Sequence, residues 1–298
     1  MIPEPLPGPA PPRGLLGGLL PALVRNQQYL KWPIYSLLVI NFVFYIVEDS
    51  ATLAREGYQS IWDITGAFAT SLDVAGWFGL LLVFEIETYW QQVYAMPRVR
   101  WGLNALRWLC FGILAHTLLV YTGDLMAVLD PQEVAVNDGY CTGQVTTQYQ
   151  LHNQVYTPLS PAACLSMMAG DSPIWSFEAD TLVDEESLNI ATLQATASFV
   201  ECAAWLAAGL AFAGMAWLKR RNSTAGTFST LVRQTPHTSY LLIVSCALLW
   251  GFYGHYLYTY DSLLWLGGFA MIEANLSTWQ TRLEELMGRG KSVASRAA

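Results

Sequence analysis

Charge is scarce in this 298-residue chain: Asp, Glu, Lys and Arg make up 13% of it, against 53% hydrophobic residues. That is about half the charged share of an ordinary soluble domain, which excludes a water-facing globule of usual composition. Basic residues are missing altogether between Arg107 and Lys219. With no basic–aromatic surface either, nucleic acid is not an expected partner. The five cysteines include no Cys-x-x-Cys, and the four histidines lie nowhere at zinc-ligand spacing, so no structural metal is expected. A Gly-rich phosphate loop, a Gly-x-Ser-x-Gly elbow and a His-Glu-x-x-His pair are absent too. With them go the common signatures of an enzyme, and catalysis is not expected. The first twenty residues, MIPEPLPGPAPPRGLLGGLL, lack a charged n-region, an apolar h-region and a small-residue cleavage site, so the segment is expected to be retained.

What the chain has instead is long apolar runs, and about twenty such residues cross roughly 30 Å of hydrocarbon as a helix. Six segments qualify: 33–48, 66–90, 103–123, 189–217, 239–258 and 262–280. The expected fold is therefore all-α, a polytopic membrane bundle of six transmembrane helices. The last two runs are separated only by Thr259, Tyr260 and Asp261. A tight hairpin is expected there, because about forty residues in one span would overshoot any bilayer. The organisation expected is a cytoplasmic tail over 1–32, in which 14–30 lie on the membrane surface as an amphipathic helix. Three helices follow within 33–123, then an extracytoplasmic loop domain over 124–188, three helices within 189–280, and a cytoplasmic tail over 281–298.

Orientation comes from the basic residues. Fourteen of the fifteen Lys and Arg fall in 1–32, 98–107, 219–233 and 282–296, with Arg55 the exception. These are alternate connections, so the positive-inside rule places all four in the cytoplasm of a bacterial inner membrane. The loop 124–188 is then periplasmic. It carries ten acids, from Asp124 to Glu186, and no Lys or Arg. Such a surface repels anions and gathers cations within about 8–10 Å, although a merely solvated loop has the same composition. Cys141 and Cys164 lie in it and make a natural disulfide pair in an oxidising compartment. Cys110, Cys202 and Cys246 fall in spans.

The even-numbered runs share a pattern of an acid, three residues and Trp: Asp73 and Trp77, Glu201 and Trp205, Asp261 and Trp265. Eight residues beyond the Trp stand Glu85 and Glu273 in the second and sixth, and Ala213 in the fourth. The odd-numbered runs agree at their outer ends, with Tyr45 to Glu48, Tyr121 to Asp124 and Tyr258 to Asp261. Three copies of a helical hairpin would give this, an internal symmetry common in transport proteins; a chain with 12 Trp and 15 Tyr also yields such matches by chance. An acid four residues before a Trp shares its helical face, and Leu80, Phe84 and Glu87 continue the face begun by Asp73 and Trp77. That face is expected to meet protein.

A carboxylate at mid-bilayer costs about 2.5–3.5 kcal/mol on insertion scales. Asp73 and Glu201 are expected deepest, Asp261 at the outer rim, and Glu85, Glu87 and Glu273 near the cytoplasmic side. Counting Arg107 with the connection, no Lys or Arg is expected inside a span to pair with them. Such a carboxyl must be protonated, bind a cation, or hydrogen-bond to neighbours such as Thr70, Ser71, Thr196 and Ser198. These six acids are the candidate ion pathway, and the alternative is a carboxyl that clamps helices together.

His116 and His255, in the third and fifth runs, could flank a haem or stand beside a quinone. A hydrogen-bonded packing residue is the more common use of a helical His, and no cofactor is expected. Ala203, Ala207 and Ala211 recur at four-residue spacing, which admits a close helix and points to a homo-oligomer or to a subunit of a membrane complex.

The first hairpin carries Val39-Ile40-Asn41, Glu48 seven positions after the Asn, and Leu81-Leu82-Val83-Phe84-Glu85-Ile86-Glu87. Over about fifty-five residues it resembles the first two helices of the voltage-sensor domain of the cation-channel superfamily. The resemblance implies a six-helix, channel-like protein in which Asn41, Glu48 and the pair Phe84 and Glu87 stabilise positive charge. The third run lacks the membrane Asp of that family, the fourth has no arginine ladder and no filter loop precedes the sixth, so no gating charges are implied. The expected function is conduction or transport of a monovalent cation or protons through intramembrane carboxylates. The alternative is an accessory or scaffold subunit of a larger membrane assembly.

Overall fold

Apolar runs too long for a globular core become long helices. A computed structural model describes residues 27–56, 60–135, 148–151, 155–169, 173–177, 181–220 and 227–269. The expected surface helix over 14–30 lies outside these except for its last four residues, and the tail 281–298 lies outside them entirely. Helix α1 spans Gln27–Glu56, α2 Ile61–Ala67, α3 Ala69–Tyr89, α4 Gln91–Tyr94, α5 Pro97–Leu129, α6 Pro161–Ala169, α7 Glu185–Arg220 and α8 Thr227–Phe252. A further helical stretch covers 256–269.

Four of these helices are long and apolar enough to cross a membrane: Trp32–Ala54, Ala69–Glu87, Pro97–Leu129 and Glu185–Met215. They coincide with the first four expected spans. α8 is a helix where the fifth span is expected, but Arg233, Gln234 and His237 make its first half too polar for that standard. The sixth is described only to residue 269.

The surface of α1 is inside out relative to a soluble helix. Val39, Ile40, Val43, Phe44 and Val47 are all at least half exposed, while Asn41, Tyr45 and Asp49 are buried. Apolar side chains outside and polar ones inside at three- to four-residue spacing suit a helix whose solvent is hydrocarbon. α5 and α7 are longer than their expected spans, with 33 and 36 residues. At 1.5 Å per residue they reach about 50 Å, well past a bilayer core.

Local sequence sets the helix ends. Ser60 and Asp63 form a reciprocal capping box at the start of α2, with Asp63 Oδ2 accepting from the Ser60 N–H at 2.8 Å. Phe68 then breaks the chain into α2 and α3, so the second span begins at Ala69, not at residue 66. Pro97 opens α5 from the first turn, where its missing N–H costs nothing.

The last hairpin is placed differently from the expectation. α8 ends at Phe252, and Gly254 takes φ 83, a left-handed conformation that glycine adopts without a Cβ clash. The helix resumes at 256 and runs straight through Thr259, Tyr260 and Asp261, with the Thr259 N–H donating to His255 O in helical register. The turn is therefore Tyr253-Gly254-His255. Tyr258 and Asp261 belong to the helix after it, and do not form the outer end of the fifth span.

Two compact units divide the chain: 1–41 with 263–298, and 42–262. In the first, Leu38 and Trp265 are buried, and Trp265 stacks on Phe269. In the second, α3 packs on α5, α5 on α7 and α7 on α8. Between α5 and α7 lies a small mixed module. β1 (Gln132–Glu133) pairs antiparallel with β4 (Trp175–Ser176). β2 (Gln148–Leu151) lies between antiparallel β3 (Val155–Pro158) and parallel β5 (Thr181–Leu182). Cys164, Ile174, Leu182 and Val183 are buried in this module.

Candidate functional site

The second unit gathers acids and their neutral donors where α3, α5, α7, α8 and the helix after Gly254 meet. Glu201, on α7, is held at both oxygens. Trp250 Nε1 donates to Oε2 at 2.7 Å and Ser262 Oγ donates to Oε1 at 2.5 Å. Trp205, one turn along α7, is a further side-chain hydrogen-bond partner, which gives a physical use to the spacing of acid and Trp. The Trp205 ring in turn meets Trp77 of α3 edge-on, with centroids 5.5 Å apart. Trp77, Trp205 and Trp265, the three repeated tryptophans, are all buried.

Asp73 on α3 stands within electrostatic range of both Asp261 and Glu201. Its Oδ1 is buried without a hydrogen-bond partner. Cys202 is within electrostatic range of Asp73 and Glu201, and Tyr121 of Asp73 and Tyr258. Asp73, Glu201 and Asp261 are thus brought together.

Glu87 is engaged elsewhere. Glu87 forms an ion pair with Arg107 at 2.6 Å. This corrects the expectation of acids without a basic partner: α3 and α5 pack antiparallel, and Arg107, ten residues into α5, comes level with the end of α3. Glu85 is half-buried, and Glu273 lies outside the described residues. Two of the four expected hydroxyl partners, Thr70 and Thr196, go elsewhere, and at Ser71 it is the backbone N–H that meets an acid. Thr70 faces the Tyr121 hydroxyl at 3.4 Å, the Ser71 N–H donates to Asp49 at 2.9 Å, and Thr196 donates to its own helix at Thr192 O.

His116 and His255 have separate surroundings, and no hydrogen bond or ring contact joins them. The His116 ring leans on Trp62 at 5.2 Å, and its Nε2 is buried without a partner. His255 Nε2 lies 3.0 Å from Nε2 of the fully buried Gln194. Its ring meets Trp250 and Tyr258, so His255 adjoins the Glu201 cluster. No group of three or more His, Cys, Asp or Glu among the described residues is arranged to hold a metal.

Sequence reasoning missed Trp250, Ser262, Gln194 and Asp49. Trp250 and Ser262 reach Glu201 from 49 and 61 residues further along the chain, and Gln194 meets a His255 that is equally remote. No local pattern announces such pairs. Asp49 had a signal, since it directly follows Glu48 at the end of an apolar run. Of the cysteines, Cys110, Cys202 and Cys246 are free thiols. Cys164 is completely buried, while Cys141 lies outside the described residues.

Comparison of the chain with protein-family models, with curated proteins and with solved structures yields no significant match.

Proposed function

We propose that the chain conducts or transports a monovalent cation or protons across a bacterial inner membrane, through Asp73, Glu201 and Asp261. The observation that carries this is Asp73 Oδ1, buried among other acids with no hydrogen-bond partner. A carboxylate so placed is costly unless it takes up a proton or a cation. Among the described residues, neither Asp73 nor Glu201 has a Lys or Arg partner. In this proposal the chain crosses the membrane six times as three related hairpins, with both termini in the cytoplasm. The module between α5 and α7 is periplasmic and closed by a Cys141–Cys164 bridge. Support for the bridge is that Cys164 is fully buried and does not stand among the free thiols.

Purified protein in liposomes is expected to pass protons, Na⁺ or K⁺. Asp73→Asn and Glu201→Gln, neutral and nearly isosteric, are expected to abolish the flux. Flux unchanged in both variants overturns the proposal.

A second role has its own observation. Ala203, Ala204 and Ala207 of α7, with Leu231, Thr235 and Leu242 of α8, line an open groove. Small residues at the floor admit another helix, which suits a scaffold subunit or a homo-oligomer. Co-elution of unrelated subunits in mild detergent, with no flux from the isolated chain, is the result that favours it.

A further inference from the structure

A second group of acids lies outside the central three. Glu48, exposed on α1, accepts a hydrogen bond from the Tyr258 hydroxyl at 3.4 Å. Its neighbour Asp49 is buried and is held by the Ser71 N–H. The Tyr258 ring stacks on the buried Tyr45, with centroids 5.8 Å apart and planes 12° from parallel. Tyr258 stands within electrostatic range of Glu48 and Asp49. Tyr121 is within electrostatic range of both Tyr258 and Asp73. One phenol, Tyr258, thus bonds an exposed carboxylate, and a second, Tyr121, is within electrostatic range of that phenol and of the buried Asp73.

Resting on the function proposed above, we infer that the species handled is the proton, and that Glu48 with Tyr258 forms a second proton-holding station at the mouth of a path to Asp73. The chemistry of the lining distinguishes a proton from a metal cation. A desolvated cation needs several oxygen lone pairs pointed at it. Here both oxygens of Glu201 face donors, and one donor is an indole N–H, which has no lone pair to offer. At Glu201, donors occupy positions a cation would need. A phenol or a carboxylic acid, by contrast, both gives and accepts a hydrogen bond, as a proton path requires. In each transfer one O–H bond breaks and another forms. A carboxylic acid releases its proton to a phenol oxygen, the phenol's own proton passes on, and the next carboxylate becomes the acid. One unit of charge moves, and nothing is oxidised or reduced.

Liposomes holding the full chain and an entrapped pH dye, energised by a K⁺ diffusion potential, test this beside tracer ²²Na⁺ and ⁸⁶Rb⁺ uptake into the same liposomes without the K⁺ ionophore. Tyr258→Phe removes only the hydroxyl and keeps the stacked ring. Glu48→Gln alters an exposed side chain, so it serves as a second variant if the first elutes aggregated. The expected result is proton uptake by the wild type, no tracer uptake, and loss of most proton uptake in each folded variant. Tracer uptake without proton uptake overturns the inference and leaves the proposed function standing. Proton uptake undiminished in both variants overturns the second station, and no flux of any ion overturns inference and function together.

Discussion

Glu201 is tied to three elements at once, by Trp250 of α8, by Ser262 beyond the Gly254 turn and by Trp205 of its own helix. Losing one donor leaves a buried oxygen without a partner, which costs about 1–3 kcal/mol. Trp250→Phe keeps an aromatic ring and removes the N–H, so it is expected to lower stability in detergent by that amount. If its unfolding midpoint equals that of the wild type, the Trp250 bond is not a structural tie. At this scale the acids were legible in the sequence and their partners were not. An Asp or Glu inside an apolar run is costly wherever it ends up, so Asp73, Glu201 and Asp261 stand out from the order of residues alone. Ser262 and Trp250 are unremarkable residues until folding brings them to Glu201, as Gln194 is until it meets His255. Glu87 misled for a related reason, since its pairing with Arg107 depends on how α3 and α5 align.

Helices are the level at which sequence speaks most clearly, because a run of about twenty apolar residues has few other uses. Their ends are less legible. α5 and α7 run on past the apolar stretch that marks them, and the break after α8 falls at one glycine whose neighbours look like any others. The polar Thr259-Tyr260-Asp261 drew the expected turn to the wrong place, although Thr259 satisfies its hydroxyl inside the bundle at Ala247 O and His255 O. Gly254→Ala forces a Cβ into the left-handed region, at a cost of about 1–2 kcal/mol, and is expected to lower the unfolding midpoint. An unchanged midpoint argues against the turn at Gly254. Helix contact makes a parallel prediction at Gly79. An added Cβ there runs into Cys110 Sγ of α5, whereas at Gly102 it meets nothing. Gly79→Ala should therefore destabilise by about 1–3 kcal/mol, Gly102→Ala should not, and Gly79→Ala with Cys110→Ala should recover most of the loss. Equal effects at the two glycines contradict the packing of α3 on α5.

On the scale of the whole molecule, charge is sorted along the chain more sharply than any other property. The absence of Lys and Arg between Arg107 and Lys219 predicts one orientation. A membrane-impermeant maleimide on intact spheroplasts should label Glu133→Cys and leave Asn222→Cys unlabelled until the membrane is opened. The reverse pattern inverts the topology. The small sheets between α5 and α7 were not legible, since strands of two to four residues carry no usable period. Buried carboxyls, with Asp73 Oδ1 left without a hydrogen-bond partner, are the feature the proposed transport rests on. The most direct measurement is ion flux through folded wild-type protein in liposomes, beside Asp73→Asn prepared identically. Flux that vanishes in the variant is the predicted result. Equal flux in both, or none from the wild type, contradicts it.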